Sequence, residues 1–214
     1  MKAEDLIESL AADLVPAPPA AVSRRLAGVA AAGAVVALAL VLAWLGLRAD
    51  LAQAMGGIMF WMKAGYAVLL GGAGFWCAER LARPAGSARG GLVLALATLG
   101  LLAALAAFRM SQAPREVWMP MWLGASWTQC PVRILALSLP TLALTLVVMR
   151  RLAPTRLRLA GAAAGLFAGG VAATAYGLHC PETAALFVVT WYTLGVALSA
   201  ALGALLGPWA LRWR

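Results

Sequence analysis

The chain has 214 residues, of which 64% are hydrophobic and 12% are charged, with a mean hydropathy of +0.88 and a formal net charge of +9. Soluble domains carry about twice that charged fraction, so a soluble globular fold is excluded. The basic residues lie at the ends of apolar runs rather than on one soluble face, so they indicate membrane topology and not a nucleic-acid partner.

Residues 2–14 are predicted to form one amphipathic helix at the start of the chain. Its polar face is mostly acidic, and its apolar face consists of Ala3, Leu6, Ile7, Leu10, Ala11 and Leu14. Because a helix that lies on an anionic bilayer is usually basic, the acids favour a protein partner. A tail that folds against the rest of the chain is the alternative. Pro16, Pro18 and Pro19 form a stiff tether, so residues 1–25 are predicted as a cytoplasmic partner-binding domain.

Six long apolar runs follow, each long enough to cross a bilayer as a helix, for which about 20 residues suffice. The predicted spans cover residues 26–47, 58–78, 90–108, 131–149, 159–178 and 184–206. Pro140 is predicted to kink the fourth span, and Lys63 lies near enough to the start of the second span to snorkel outward. The predicted fold class is an all-α integral membrane protein, with residues 26–214 as its six-helix transmembrane domain.

The Lys and Arg residues predict the orientation of these spans. Of 17 such residues, 12 fall on the side that includes both termini and five on the other. Because cytoplasmic loops are enriched in Lys and Arg, both termini are predicted to be cytoplasmic.

Small residues recur at every fourth position along the last two spans. They are Gly161, Gly165, Gly169, Ala173 and Gly177 in the fifth span and Gly195, Ser199, Gly203 and Gly207 in the sixth. In lipid, such stripes let helix backbones approach closely, so a close antiparallel pair is predicted. A homodimer formed along the same stripe is the alternative.

The predicted topology separates the three cysteines. Cys77 falls at the cytoplasmic end of the second span, whereas Cys130 and Cys180 fall at the outer ends of the fourth and fifth spans. An oxidising outer compartment permits a disulfide between these two, provided that their Cα atoms come within about 4.4–6.8 Å. With Pro131 at the first helical position, Cys130 is the predicted N-cap, where the helix dipole favours a thiolate.

Two interpretations of the outer cysteine pair stay open. The thiolates of Cys130 and Cys180, with the imidazole of His179 or the carboxylate of Glu182, would form a transient site for a thiophilic metal. Alternatively, the pair is a permanent disulfide that staples the outer face, and His179 and Glu182 are ordinary turn residues.

The residues do not favour catalysis. His179 is the only histidine, no acid lies deep in a span, and the sequence has neither a CxxC pair nor a glycine-rich phosphate-binding loop. We therefore predict neither an enzyme activity nor a bound cofactor.

Three motifs resemble those of the NrsF-type bacterial anti-sigma factors, and the resemblance covers nearly the whole chain. They are Trp122-Leu-Gly-Ala-Ser-Trp127-Thr-Gln-Cys130, Gly177-Leu-His179-Cys180-Pro181-Glu182 with Trp191-Tyr192, and the N-terminal pattern Asp5-Leu6-Ile7 and Leu10-Ala11-x-Asp13. The resemblance implies a regulator that holds an extracytoplasmic-function sigma factor at the inner membrane and releases it under heavy-metal or oxidative stress.

The resemblance also implies roles for individual residues. Cys130 and Cys180 would be the stress-sensing pair, supported by His179, Glu182 and Trp127, whereas Cys77 is expected to be incidental. The sigma factor would bind the tail at Leu6, Ile7, Leu10, Asp13 and Leu14. No sequence feature connects the outer cysteines to the first span.

Two other functions stay open. A small-solute or ion transporter would need a continuous polar path through the bundle. A structural or assembly protein would hold its outer cysteines permanently oxidised and would not respond to a ligand.

Overall fold

The computed structural model describes residue 8, residues 20–152 and residues 154–212. Apart from Glu8, the predicted N-terminal helix lies outside these residues, and so do its predicted binding residues Leu6, Ile7, Leu10, Asp13 and Leu14. Their roles remain predictions.

Six long helices, named α1 to α6, make up most of the described chain. They are α1 (Ala21–Leu45), α2 (Ile58–Leu81), α3 (Arg89–Ser111), α4 (Cys130–Arg150), α5 (Leu157–Tyr176) and α6 (Ala185–Ala210). Each is long and apolar enough to cross a membrane, which confirms the prediction of an all-α chain with six such helices. The bounds differ from the predicted ones by a few residues. For example, α2 continues past the predicted end, where Glu79 pairs with Arg83 and accepts a hydrogen bond from Ser23.

Three connections meet at one end of the bundle, which we call the cysteine end. They are residues 46–57, with the short helix Leu51–Met55; residues 112–129, with the short helices Arg115–Val117 and Trp118–Leu123; and residues 177–184. Two π-helical turns border this end, Val41–Leu45 at the end of α1 and Val188–Tyr192 near the start of α6. Such turns are frequent at functional sites.

The slim helix α5 lies at the centre of the bundle. It packs against α2, α4 and α6. Of the residues in its most apolar stretch, 67% are buried, compared with 22% for α3 and 28% for α1. Its Ala- and Gly-rich sequence gives it a narrow cross-section, so neighbours can approach it from every side. In contrast, α1 and α3 are peripheral.

Helices α5 and α6 approach within van der Waals distance along the predicted glycines. A Cβ atom added to Gly203 would lie 2.1 Å from the carbonyl oxygen of Gly161, and one added to Gly165 would lie 2.1 Å from a carbonyl oxygen of α6. Gly195 instead faces α4, where an added Cβ would lie 2.8 Å from Ile134. These positions are used within one chain, so they offer no free surface for a homodimer along the stripe.

Candidate functional site

The thiols of Cys130 and Cys180 lie together at the cysteine end. Cys130 is the first residue of α4, and Cys180 lies in the connection between α5 and α6. Both side chains are fully buried, neither forms a disulfide, and a hydrogen bond joins the two thiols. The fold thus supplies the juxtaposition that a disulfide or a two-thiolate metal site requires.

The start of α4 differs from its prediction by one residue, because Gln129 and not Cys130 is the N-cap. The carbonyl oxygen of Ser126 already accepts the N–H groups of both Gln129 and Cys130, and that of Gln129 accepts the N–H of Arg133. Cys130 therefore lies within the first turn, where the positive end of the helix dipole still acts on its thiol.

Lys63 belongs to the site, and the prediction that it snorkels outward is wrong. Its side chain is 1% exposed, and its Nζ donates hydrogen bonds to the carbonyl oxygens of Cys180 (2.7 Å) and Glu182 (3.0 Å). The ammonium also lies 5.6 Å from the centroid of the Tyr192 ring. The buried turn supplies the polar partners that a lysine otherwise finds by reaching toward water. A lone cation inside an apolar span is itself a functional signal, and this signal could have identified Lys63.

The surroundings of Cys180 stabilise its thiolate. The hydrogen bond from the Cys130 thiol is the largest effect. Burial opposes it, the Lys63 ammonium and the Tyr192 hydroxyl add to it, and the net result is a lowered pKa of the Cys180 thiol. A lowered pKa increases the share of the thiolate, which is both the nucleophile in thiol chemistry and the ligand of soft metals.

Both ring nitrogens of His179 are engaged. Arg133 donates a hydrogen bond of 2.9 Å to Nε2, and a guanidinium can only donate. The neutral ring therefore carries its proton on Nδ1, which donates to the carbonyl oxygen of Gly46 at 2.9 Å. The ring also packs against Tyr176, with centroids 5.6 Å apart. For His179 to bind a metal, one of these hydrogen bonds has to break.

The side chain of Glu182 connects residues 112–129 to the segment that contains Cys180. Its carboxylate accepts hydrogen bonds from the N–H of Ala125 (2.7 Å) and the hydroxyl of Ser126 (3.5 Å). Gly124 has a φ of +53°, and a Cβ there would lie 2.6 Å from the carboxylate, so only glycine fits. The carboxylate thus has a structural role at this position.

Trp127 and Trp122 pack on Trp191 of α6, with ring centroids 5.2 and 5.8 Å apart. The indole nitrogen of Trp191 donates to the carbonyl oxygen of Trp122 at 2.7 Å. The motif from Trp122 to Cys130 is therefore attached to α6 through Trp191.

Among the described residues, no group of three His, Cys, Asp or Glu side chains is arranged to hold a metal ion. His179 and Glu182 have other partners, so only the sulfurs of Cys130 and Cys180 face each other as ligands. Two thiolates suit soft ions alone.

Cys77 lies apart from this pair, against the start of α3. Its thiol donates to the carbonyl oxygen of Ala88 at 3.5 Å, and a Cβ on Gly91 would lie 2.5 Å from its sulfur. These contacts are those of a packing residue.

Arg48 is a second site residue that the sequence analysis missed. Its Nη1 donates to the carbonyl oxygen of Cys180 at 3.3 Å, and its backbone N–H donates to that of Leu178 at 3.1 Å. Asp50 holds the guanidinium through bonds of 2.7 and 2.8 Å, which raise the pKa of Arg48 and lower that of Asp50. An arginine just after an apolar run is so common that its position gave no signal.

The family described as "NrsF: Negative regulator of sigma F" matches residues 10–213. The anti-sigma-F factor NrsF of Caulobacter vibrioides is 49% identical over 218 residues, which cover 100% of both chains. The probable anti-sigma-F factor NrsF of Azospira oryzae is 45% identical over 217 residues, again with 100% of both chains covered. No solved structure matches the chain.

Proposed function

The chain belongs to the NrsF family of negative regulators of sigma F, and on that premise we propose that it holds an extracytoplasmic-function sigma factor at the bacterial inner membrane. Heavy-metal or oxidative stress then releases the sigma factor through a change at Cys130 and Cys180. The observation that carries this proposal is that Cys130 and Cys180 lie together, with both side chains fully buried, at one end of the bundle.

Membrane insertion is supported by the six apolar helices and by the basic residues at their ends. With both termini in the cytoplasm, the cysteine end faces the periplasm, where thiols meet metals and oxidants first. Residues 1–25 then lie at the inner surface, where their predicted helix can bind the sigma factor.

The orientation is tested with reporter fusions. Fusions after Arg83 and Arg156 are expected to report a cytoplasmic position and one after Gln112 a periplasmic one, because cytoplasmic loops retain Lys and Arg. A periplasmic signal at Arg83 or Arg156 would refute the proposed orientation.

The contacts around the two thiols favour a sensor over a permanent staple. A staple would be required only if this end of the bundle lacked other contacts. The fold around them is already fastened by Lys63, Glu182 and Trp191. Oxidation or ligation is therefore available as a signal rather than required for folding.

A transporter receives no support from the buried polar residues. Ser138 and Ser199 bond each other, and Thr145 bonds the backbone of its own helix, as is common for hydroxyls in apolar helices. Lys63 donates to carbonyl oxygens of the cysteine end and not to these hydroxyls.

The function is tested by co-purification. Detergent-solubilised full-length protein is expected to retain the sigma factor under reducing conditions and to lose it when hydrogen peroxide or a thiophilic metal such as Cd²⁺ is added. A sigma factor that fails to co-purify under reducing conditions would exclude sequestration. Loss that is equal with and without reductant would exclude thiol control.

A further inference from the structure

The connection that follows α1 is tied to the Cys180 segment at three points. The backbone N–H of Arg48 donates to Leu178, Nη1 of Arg48 donates to Cys180, and Nδ1 of His179 donates to Gly46, in each case to a carbonyl oxygen. We call these three hydrogen bonds the α1 joint. They are a physical link between the thiol pair and the first long helix.

The connection between α1 and the α1 joint is short. Gly46 takes a φ of +75° directly after α1, and only Leu47 separates it from Arg48. Asp50 fixes the guanidinium with two further hydrogen bonds. A displacement of the Cys180 backbone therefore also displaces the end of α1, because no long flexible connection separates them.

Helix α1 also has few buried side chains. Its buried residues form one narrow stripe, consisting of Leu26, Val29, Gly33, Ala37 and Val41. On the flank toward α2 lies an apolar cavity of about 640 Å³, lined on the α1 side by Ala30, Ala34 and Leu38. A helix with few buried contacts shifts at lower cost than the fully packed α5. Its other end leads directly into the tail that is proposed to bind the sigma factor.

We propose that the α1 joint carries the state of the thiol pair to α1, with the Arg48 side chain as the positioning residue, because it alone in the joint bonds the carbonyl oxygen of Cys180 itself. The inference rests on the proposed function. When hydrogen peroxide oxidises the pair, two thiols lose two electrons and two protons, one S–S bond forms, and the peroxide is reduced to two molecules of water.

The direction of the movement follows from the geometry. The sulfurs must come to about 2.05 Å, closer than hydrogen-bonded thiols. Cys130 is part of α4, whereas Cys180 lies in a non-helical connection, so the Cys180 segment moves toward α4. The joint then draws the end of α1 with it, and the tail at the other end is displaced.

The test uses Arg48→Met in the full-length protein with its sigma factor bound, and Arg48→Lys as the conservative variant. Arg115→Met is the matched control, because Arg115 lies at the same end but contacts the Trp118 ring. Hydrogen peroxide is the probe, and both the disulfide fraction and the released sigma factor are measured. We expect Arg48→Met to form the disulfide as wild type does but to release about tenfold less sigma factor, since a charge-assisted hydrogen bond is lost. Arg48→Lys restores part of the release, and Arg115→Met behaves as wild type.

Normal release by oxidised Arg48→Met, or release by this variant without oxidant, would overturn the proposal.

A second measurement does not depend on the variant. Spin labels at residues 24 and 158, attached through non-natural amino acids, report the distance between α1 and α5 at the end away from the cysteines. Oxidation of wild type is expected to shift this distance by about 1–2 Å, and an unchanged distance would overturn the proposal. Wild-type protein that forms the disulfide and keeps its sigma factor would instead overturn the proposed function.

Discussion

Leu6→Glu and Leu10→Glu are each expected to free the sigma factor without stress while leaving the six-helix bundle folded. The predicted tail helix presents both leucines on its apolar face, and a buried large side chain contributes about 1.5–3 kcal/mol to an interface. A charge in its place adds a desolvation cost, so each variant should weaken binding at least about tenfold. The measurement is the amount of sigma factor that co-purifies with the solubilised protein.

Ser9→Glu is the matched control, because it adds the same charge to the opposite, acidic face of the predicted helix. It should retain the sigma factor as wild type does. If Leu6→Glu and Leu10→Glu both keep full binding, the interface lies elsewhere, and the basic connection at residues 150–158 becomes the next candidate. Equal losses in all three variants would mean that the tail acts through its net charge and not through an apolar face.

The six helices could be predicted from the sequence because hydropathy and run length are local properties. A stretch of about 20 apolar residues needs an internally bonded backbone in lipid, whatever its neighbours are. The approach of α5 and α6 could be predicted for a similar reason, since small residues at every fourth position form a continuous groove on one helix. The contact of Gly195 with α4 could not be predicted, because a stripe of small residues does not indicate which helix packs against each of its members.

The site could be predicted only in part. Two motifs, each ending in or containing a Cys, indicate the thiol pair, but neither indicates which cations surround it. The distance of Lys63 from the end of its span predicts snorkelling, whereas its actual position is set by two carbonyl oxygens more than 100 residues away along the chain. Arg48 likewise finds its partners in residues 178 and 180. Partners so distant in sequence leave no periodic or local signal.

Cys130→Ser and Cys180→Ser are each expected to blunt induction without abolishing repression. Serine is close in size and can replace the hydrogen bond between the two side chains, but it can neither form a disulfide nor bind a soft metal as a thiolate. The bundle stays folded because Lys63 and Glu182 hold the surrounding connections through main-chain and carboxylate contacts. Reporter output from a sigma-dependent promoter should therefore fall at least about tenfold under stress, with a normal resting level.

The resting state of the thiols decides between a sensor and a staple. Because both side chains are fully buried, a bulky alkylating reagent cannot report on them in the folded protein. Cells are therefore quenched in acid and the thiols are alkylated after denaturation. A sensor gives two free thiols in unstressed cells and their loss on exposure to oxidant.

The staple predicts the opposite pattern in every one of these measurements. The pair would be oxidised at rest, and either serine variant would lose about 2–5 kcal/mol of stability, the usual contribution of a native disulfide in a small domain. Protein levels would then fall, and the sigma factor would be active without stress. Cys77→Ser serves as the control under both hypotheses, because Cys77 packs against Ala88 and Gly91 and not against the pair. If Cys77→Ser alone removed induction, the signal would enter at the other end of the bundle, and Cys130 and Cys180 would not be the sensing pair.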